Sequence, residues 1–308
     1  METFRHRIDA AAAAGTRVDR YIADHLGLFS RSQLKQRVSK VLVNGRESKL
    51  SRKVYGGDSL VILYREPEPT DVLPEPIPLD VLYEDRDVIV VNKPSGMIVH
   101  PAGRVRSGTL VNALLHHCRE VREDFPGEPL RPGIVHRLDK DTSGVLIAAK
   151  NVRSREFLAA QFRARTARKL YWAVVRGTPP RTRGRIETLL ARDPHHRKRF
   201  TTCCSQGKKA VTDYRILQQF KGYTLLALRP RTGRTHQIRV HCLSMHCPVL
   251  GDPLYARRDA TFPQAPMMLH AAGLTLRLPG GSEDRRRFRA PLPDHFRRLL
   301  AALRTEGI

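Results

Sequence analysis

A chain of 308 residues can bury a sizeable core and has room for about two domains of ordinary size, which excludes a lone small module. Against 30 acidic side chains stand 55 basic ones, a net charge of +25 at 41% hydrophobic residues, so the composition is globular and the charge calls for a polyanionic partner. No apolar run approaches the ~20 residues of a spanning helix, Ala10 to Ala14 is too short for a signal-peptide core, and five cysteines (Cys118, Cys203, Cys204, Cys242, Cys247) do not describe a disulfide framework, so a cytoplasmic protein without a membrane partner is expected.

Residues 1–14 are expected as an N-terminal tail. Beyond them Val18, Ile22 and Leu26, then Leu34 and Val38, recur at helical spacing, with Ser30 placed to cap the second of two short helices. Val41-Leu-Val43 leads into Asn44-Gly45, a tight-turn signal, and Ser59 to Leu63 reads as a returning strand. Between Arg31 and Lys53 eight basic residues face the single acid Glu47, a pattern that charge alone would assign to a solvated helix face. The order of these elements, with Arg17-Val-Asp19, Ser30-Arg-Ser-Gln33 and Val43-Asn-Gly45, resembles the S4 RNA-binding module over residues 15–65. That resemblance implies that Arg31, Lys35, Arg37, Lys40, Arg46 and Lys49 contact RNA phosphates without reading sequence.

Five prolines and four acids between Glu66 and Pro78 favour an extended connection, and residues 66–80 are taken as the linker between domains. In residues 81–308 the pattern turns to short apolar strands: Val88 to Val91, Val145 to Ala149, Tyr171 to Val175, Tyr223 to Leu228 and Leu274 to Leu278. Helical spacing is confined to Leu110 to Cys118, Glu156 to Phe162, Ile238 to Met245 and Asp294 to Leu303. The fold class is therefore α+β, built on a large, mainly antiparallel mixed sheet, and a doubly wound fold lacks its helices.

The segment from Gly133 to Lys150 runs a dense polar loop into an apolar strand. There Asp139 stands among His136, Arg137 and Lys140, whose positive potential favours a carboxylate able to act as nucleophile or base; a structural salt-bridge loop is the alternative. Asp141, two positions on, raises the question of a glycosidase-like pair. His241-Cys242 and His246-Cys247 raise that of zinc, but their spacing matches neither paired CxxC nor HExxH, and no metal is expected.

His136-Arg-Leu-Asp-x-x-Thr-Ser-Gly144 is similar to the signature of the RluA-type pseudouridine synthases. Further blocks agree in order: Tyr83-Glu-Asp85, Asn92-Lys-Pro-Ser-Gly96, His100-Pro101, Lys169-Leu-Tyr-Trp-Ala173, Thr232 to His241 and Leu269-His-Ala271. With the S4-like module in front, the resemblance points to the RluC- or RluD-type branch. It implies an isomerase of uridine in large-subunit ribosomal RNA, alone or in a pre-ribosomal particle, acting as a monomer with no small-molecule cofactor. It also implies roles: Asp139 as the catalytic aspartate, Tyr171 stacking on a flipped-out base and assisting proton removal from C5, Arg239 as the aspartate's bidentate partner with Arg234 as second choice, and His136, Arg137, Leu138, Thr142 and Leu269 lining the substrate pocket. Rivals from other classes are a non-catalytic RNA-binding assembly factor and a zinc-dependent hydrolase using His236, His241, Cys242 and His246. The basic stretch from 153 to 209 is expected to widen the RNA-contact surface.

Overall fold

Alternating side chains build the first unit's sheet. The computed structural model describes residues 1–9, 14–29, 34, 37–64, 72–101, 103, 105–118, 121, 124, 125, 131–202, 205–280 and 284–305, and the chain divides into two units, Met1–Thr70 and Asp71–Ile308. In the first unit the strands are β1 (Glu2–Arg7), β2 (Ala14–Arg17), β3 (Val38–Val43), β4 (Arg46–Glu47), β5 (Lys53–Tyr55) and β6 (Ser59–Tyr64), with α1 (Val18–Arg20) continuing as a π turn through Tyr21–His25. Val41, Val43, Leu60 and Ile62 alternate inward from β3 and β6 onto Val18, Ile22 and Leu34, and the sheet order is β1-β6-β3-β4, with β2 paired to β5.

Two expectations for this unit are corrected. Residues 2–7 are no tail: they pair with β6 along their length, from Glu2 opposite Tyr64 to Arg7 opposite Ser59, so that β1 covers an otherwise open edge of β6. Val38 does not continue a helix from Leu34; it opens β3, where β-branched residues gain more from pairing with β6 than from another helical turn. Ser30, Arg31, Gln33 and Lys35 lie outside the described residues.

The second unit holds a ten-stranded mixed sheet. Its strands are β7 (Val81–Glu84), β8 (Val88–Lys93), β9 (Ser143–Ala149), β10 (Arg168–Arg176), β11 (Arg183–Arg192), β12 (Phe200–Thr201), β13 (Lys208–Phe220), β14 (Tyr223–Pro230), β15 (Leu269–Leu276) and β16 (Arg286–Arg289). The order is β12-β11-β13-β14-β10-β15-β9-β8-β7, with β16 also beside β15, and every pairing is antiparallel except β15 with β9. Its helices include α2 (Leu110–His117), α3 (Val152–Arg163), α4 (Gln237–Ser244) and α5 (Asp294–Thr305). Every residue of β9 is buried: Leu146 and Ala148 join the core that also holds Tyr171 and Leu269, while Val145, Ile147 and Ala149 join the core under Leu158 of α3. A strand covered on both faces reads as a continuous apolar run, which is why this one was legible.

Other segments differ from expectation. Residues 72–80 do not hang free as a linker: Val72 is buried in the core of the second unit, Leu79 packs on it, and Asn112 Nδ2 donates to the Leu73 carbonyl at 2.8 Å. A buried asparagine demands that partner. Residues 183–192 of the basic stretch and 208–220, which begin at its end, are strands whose lysines and arginines are exposed, and β15 begins five residues before the expected Leu274.

Candidate active site

Three neighbouring strands set the site. The loop 136–142 precedes β9, Tyr171 lies in β10, Leu269 opens β15, and the turn after β14 delivers α4. Ser143 Oγ and His270 Nδ1, 2.9 Å apart, couple β9 to β15, and Gly144 sits at φ +113° against the backbone of Ala271. Together these elements enclose a cleft of about 470 Å³, within the size range of small-molecule sites.

His136, Arg137, Leu138, Asp139, Thr142, Tyr171, Arg234, Arg239 and Leu269 all line this cleft, and Asp141 does not. Asp139 is partly exposed, its side chain at 21%, whereas Arg239 is at 5%. Arg239 Nη1 donates to Asp139 Oδ2 at 3.1 Å. Its fork is turned elsewhere: Nε and Nη2 donate to the two oxygens of Asp252 at 2.6 and 2.7 Å. The expected bidentate pair with Asp139 is thus replaced by a single contact, because Asp252 is fully buried and requires the stronger compensation. Burial alone would pull the Arg239 pKa down; the hydrogen bonds and charge of Asp252, with Asp139 behind, raise it above the ordinary arginine value. The guanidinium is a fixed charge.

Burial, then the nearby Asp139 charge, pushes the Tyr171 phenol above its ordinary pKa, so it is a neutral hydrogen-bond donor and not a resident base. His136 is stacked on Phe162, ring centroids 4.6 Å apart, and its Nε2 accepts from the Ile147 N–H at 3.1 Å. Burial, helped by Lys169, brings its pKa down to about 3, so the ring is neutral and orders the loop against β9. Leu138 and Leu269 are buried apolar walls, and Thr142 N–H closes the turn on the Asp139 carbonyl at 3.1 Å. Arg234 Nε donates to the Lys209 carbonyl at 3.2 Å. Lys169, Arg163, Arg165 and Arg231 also line the cleft, which is therefore cationic around one carboxylate.

Beneath the loop lies fully buried Lys93, whose Nζ donates to the carbonyls of Pro94, Met97 and Lys140 at 2.7, 2.8 and 3.0 Å. The motif reading named its segment but gave it no part in the site. Asp252 was missed as well, although it is the sole acid between Asp213 and Asp259 in a basic stretch, a signal that it must be paired. Tyr255 was passed over too, and His236 was named only as a zinc ligand of the rival reading.

The four supposed zinc ligands do not share a site: His241 holds its two ring nitrogens against the hydroxyls of Thr212 and Thr188 at 2.9 and 3.0 Å. Among the described residues the one group with metal-ligand spacing is Glu84, His117 and Cys118, where Lys150 Nζ sits 2.9 Å from Glu84. That ammonium occupies the charge a cation would seek.

In the first unit Lys40 pairs with Glu47 at 2.8 Å, Arg37 lies 5.9 Å from the Phe29 ring centroid, and Arg46 and Lys49 are exposed.

Residues 87–244 match the sequence family described as RNA pseudouridylate synthase. A Borreliella burgdorferi protein named ribosomal large subunit pseudouridine synthase D is 42% identical over 286 residues, 91% of this chain and 87% of that one. A protein of the same name from Neisseria meningitidis serogroup A is 39% identical over 96% of this chain and 80% of its own. Among solved structures, human RNA pseudouridylate synthase domain containing 4 superimposes with a TM-score of 0.58 at 26% identity, covering 73% of this chain and 92% of its own.

Proposed function

The chain belongs to the RNA pseudouridylate synthase family and is an RNA pseudouridine synthase, and from that premise we propose that its substrate is large-subunit ribosomal RNA and that Asp139 is the group that reacts with the target nucleoside. One observation carries the second part: Asp139 is held through Oδ2 alone by a buried, permanently charged Arg239, at the wall of a cleft ringed by cations. Because the Arg239 fork already neutralises Asp252, Asp139 keeps most of its negative charge while its direction is fixed. Such a carboxylate is suited to nucleophilic work on a glycosidic centre.

In this reading the uridine is extruded into the cleft, its base between Tyr171 and Leu269 and its phosphates on the cationic rim. The bond from N1 to C1′ breaks with help from Asp139, the base turns, C5 bonds to C1′, and the proton lost from C5 is balanced by the one gained at N1. The overall change is an isomerisation, so no oxidant, reductant or small-molecule cofactor enters. Ribosomal RNA as substrate would keep a monomeric enzyme in the cytoplasm. A non-catalytic assembly factor would leave the anchoring of Arg239 by Asp252, and its reach to Asp139, without a purpose.

For the first unit we propose an S4-type RNA contact through exposed Arg46 and Lys49 beside the β3–β4 turn. Replacing both with Gln should lower the salt slope of ribosomal RNA binding by about one to two units; an unchanged slope removes this surface from the interface.

The central experiment is Asp139→Asn assayed for pseudouridine formation on large-subunit ribosomal RNA. Turnover should vanish while RNA affinity holds, since the side chain keeps its size and Arg239 stays on Asp252. More than a few per cent of residual turnover would remove Asp139 from its role.

A further inference from the structure

His236 is the residue before α4 and takes a left-handed backbone, φ 55°, uncommon for any residue with a side chain. Unusual backbone of this kind concentrates at sites where a side chain must be aimed. Its ring lies edge-on to Phe200 and Tyr255, with both centroids at 5.6 Å, and it lines the cleft beside Asp139.

A chain of hydrogen bonds assigns its tautomer. The Phe200 N–H donates to Tyr255 Oη at 2.8 Å, and Tyr255 Oη lies 2.9 Å from His236 Nδ1. A buried phenol that already accepts a backbone N–H satisfies its own proton by donating it, and Nδ1 is the acceptor at hand. The neutral ring then carries its hydrogen on Nε2, and Nε2 is 4.0 Å from Asp139 Oδ2. Burial lowers the pKa of this histidine against the opposing pull of Asp139, in keeping with a neutral ring.

Resting on the reading of Asp139 as the reacting group, we propose that His236 is its second positioning residue, a neutral Nε2–H donor whose contact with Oδ2 closes when RNA fills the cleft, with Tyr255 setting the tautomer. Hydrogen bonds in an empty site are often long and tighten only with substrate in place. With Arg239 and His236 both on Oδ2, Oδ1 is the oxygen left to react. The charged and titratable groups facing this ring are Asp139 and Arg137 from the loop before β9, Arg239 from α4, and Asp252 and Tyr255 from the segment after it.

The test measures kcat and KM against pH on ribosomal RNA for His236→Asn, His236→Gln and Tyr255→Phe, with Asp139→Asn as reference. Asn suits the left-handed backbone, so the fold should hold, but its amide is too short to stand where Nε2 stands; Gln reaches. His236→Asn should lose roughly tenfold in kcat, the worth of one hydrogen bond, with KM unchanged and the acidic limb of the pH profile moved upward. His236→Gln should recover most of that loss and leave the limb in place, and Tyr255→Phe should fall between them. Equal losses in both histidine variants with an unmoved limb, wild-type kcat in His236→Asn, or an effect on KM alone would each overturn the inference. Full activity in Asp139→Asn would instead defeat the reading beneath it.

Discussion

Arg239 gives two of its nitrogens to Asp252 and one to Asp139, and the two carboxylates differ in burial, with side chains at 0% and 21% exposure. The inner carboxylate neutralises the arginine and the outer one is steered by it. Asp252 Oδ1 also accepts from the backbone N–H groups of Leu254 and Tyr255, so the anchor is tied to the turn that carries the ring beside His236.

Asp252→Asn should therefore damage both stability and catalysis. An amide cannot compensate the buried guanidinium, and breaking a buried pair costs on the order of 3 kcal/mol. Freed from its anchor, Arg239 would swing wholly onto Asp139 and mask it. The denaturation midpoint in urea should fall and kcat should drop at unchanged KM; wild-type kcat in a folded variant would show that the anchor does not matter to the reaction.

Lys93 offers a pH test with a definite sign. Burial pulls its pKa down to about 7 from the ordinary 10.5, while Asp141 and then Asp139 oppose the shift. The folded value lies below the unfolded one, so between about 7 and 10.5 the unfolded chain binds more protons and this group's contribution to stability rises with pH, at up to ~1.4 kcal/mol per pH unit. Lys93→Met lacks that term. It also strands three carbonyls, one of them that of Lys140 next to Asp139, so it should be less stable and slower. Unfolding free energies at pH 7 and 9 should diverge between wild type and variant, wild type gaining at the higher pH; parallel curves would mean the amine stays charged in the fold throughout.

What could be read in advance followed from local chemistry. Asn44-Gly45 both take positive φ, 52° and 79°, in the two-residue turn between β3 and β4, and that demand is written in the residue types themselves. The buried run of β9 was equally plain. β1, β11 and β13 were not, because charged residues at alternate positions look the same on a solvated loop and on the open face of a sheet. Asp139 and Arg239, one hundred positions apart, could be named only through motifs, since no periodicity measures the distance between a loop and a remote helix. Asp252 has no motif of its own, and its role appears only once α4 folds back over the turn that holds it.

Gly144→Ala tests how tightly the loop that carries Asp139 is tied to β15. A Cβ at this position would stand 2.3 Å from the Ala271 carbonyl oxygen, and the backbone φ of +113° disfavours any L side chain. The neighbouring atoms are backbone and cannot rotate aside, so β9 and β15 must separate, five residues from Asp139 and two from Leu269. Destabilisation on the order of 2 kcal/mol or more is expected, with turnover falling further than RNA affinity. An unchanged unfolding midpoint would mean that the two strands part without cost.

Arg239→Met separates two roles that an arginine in an RNA-modifying enzyme can play. As the partner of Asp139 and Asp252 it has all three guanidinium nitrogens engaged inside the protein and only 5% of its side chain exposed, which leaves none to hold a phosphate. Its loss then leaves one carboxylate buried without compensation, at a cost of about 3 to 5 kcal/mol. Loss of the cation in contact with the reacting group moves the acidic limb of turnover upward, while the salt dependence of RNA binding stays as it was. Should the methionine variant fold poorly, Arg239→Lys keeps the charge but not the fork, and the same limb should move by a smaller amount. A phosphate ligand would behave in the opposite way: binding weaker, salt slope reduced by about one unit, and the pH profile at saturating RNA untouched. Turnover against pH at saturating RNA, with affinity at two salt concentrations, separates the two, and an unmoved limb with a flatter salt slope would take Arg239 out of the site.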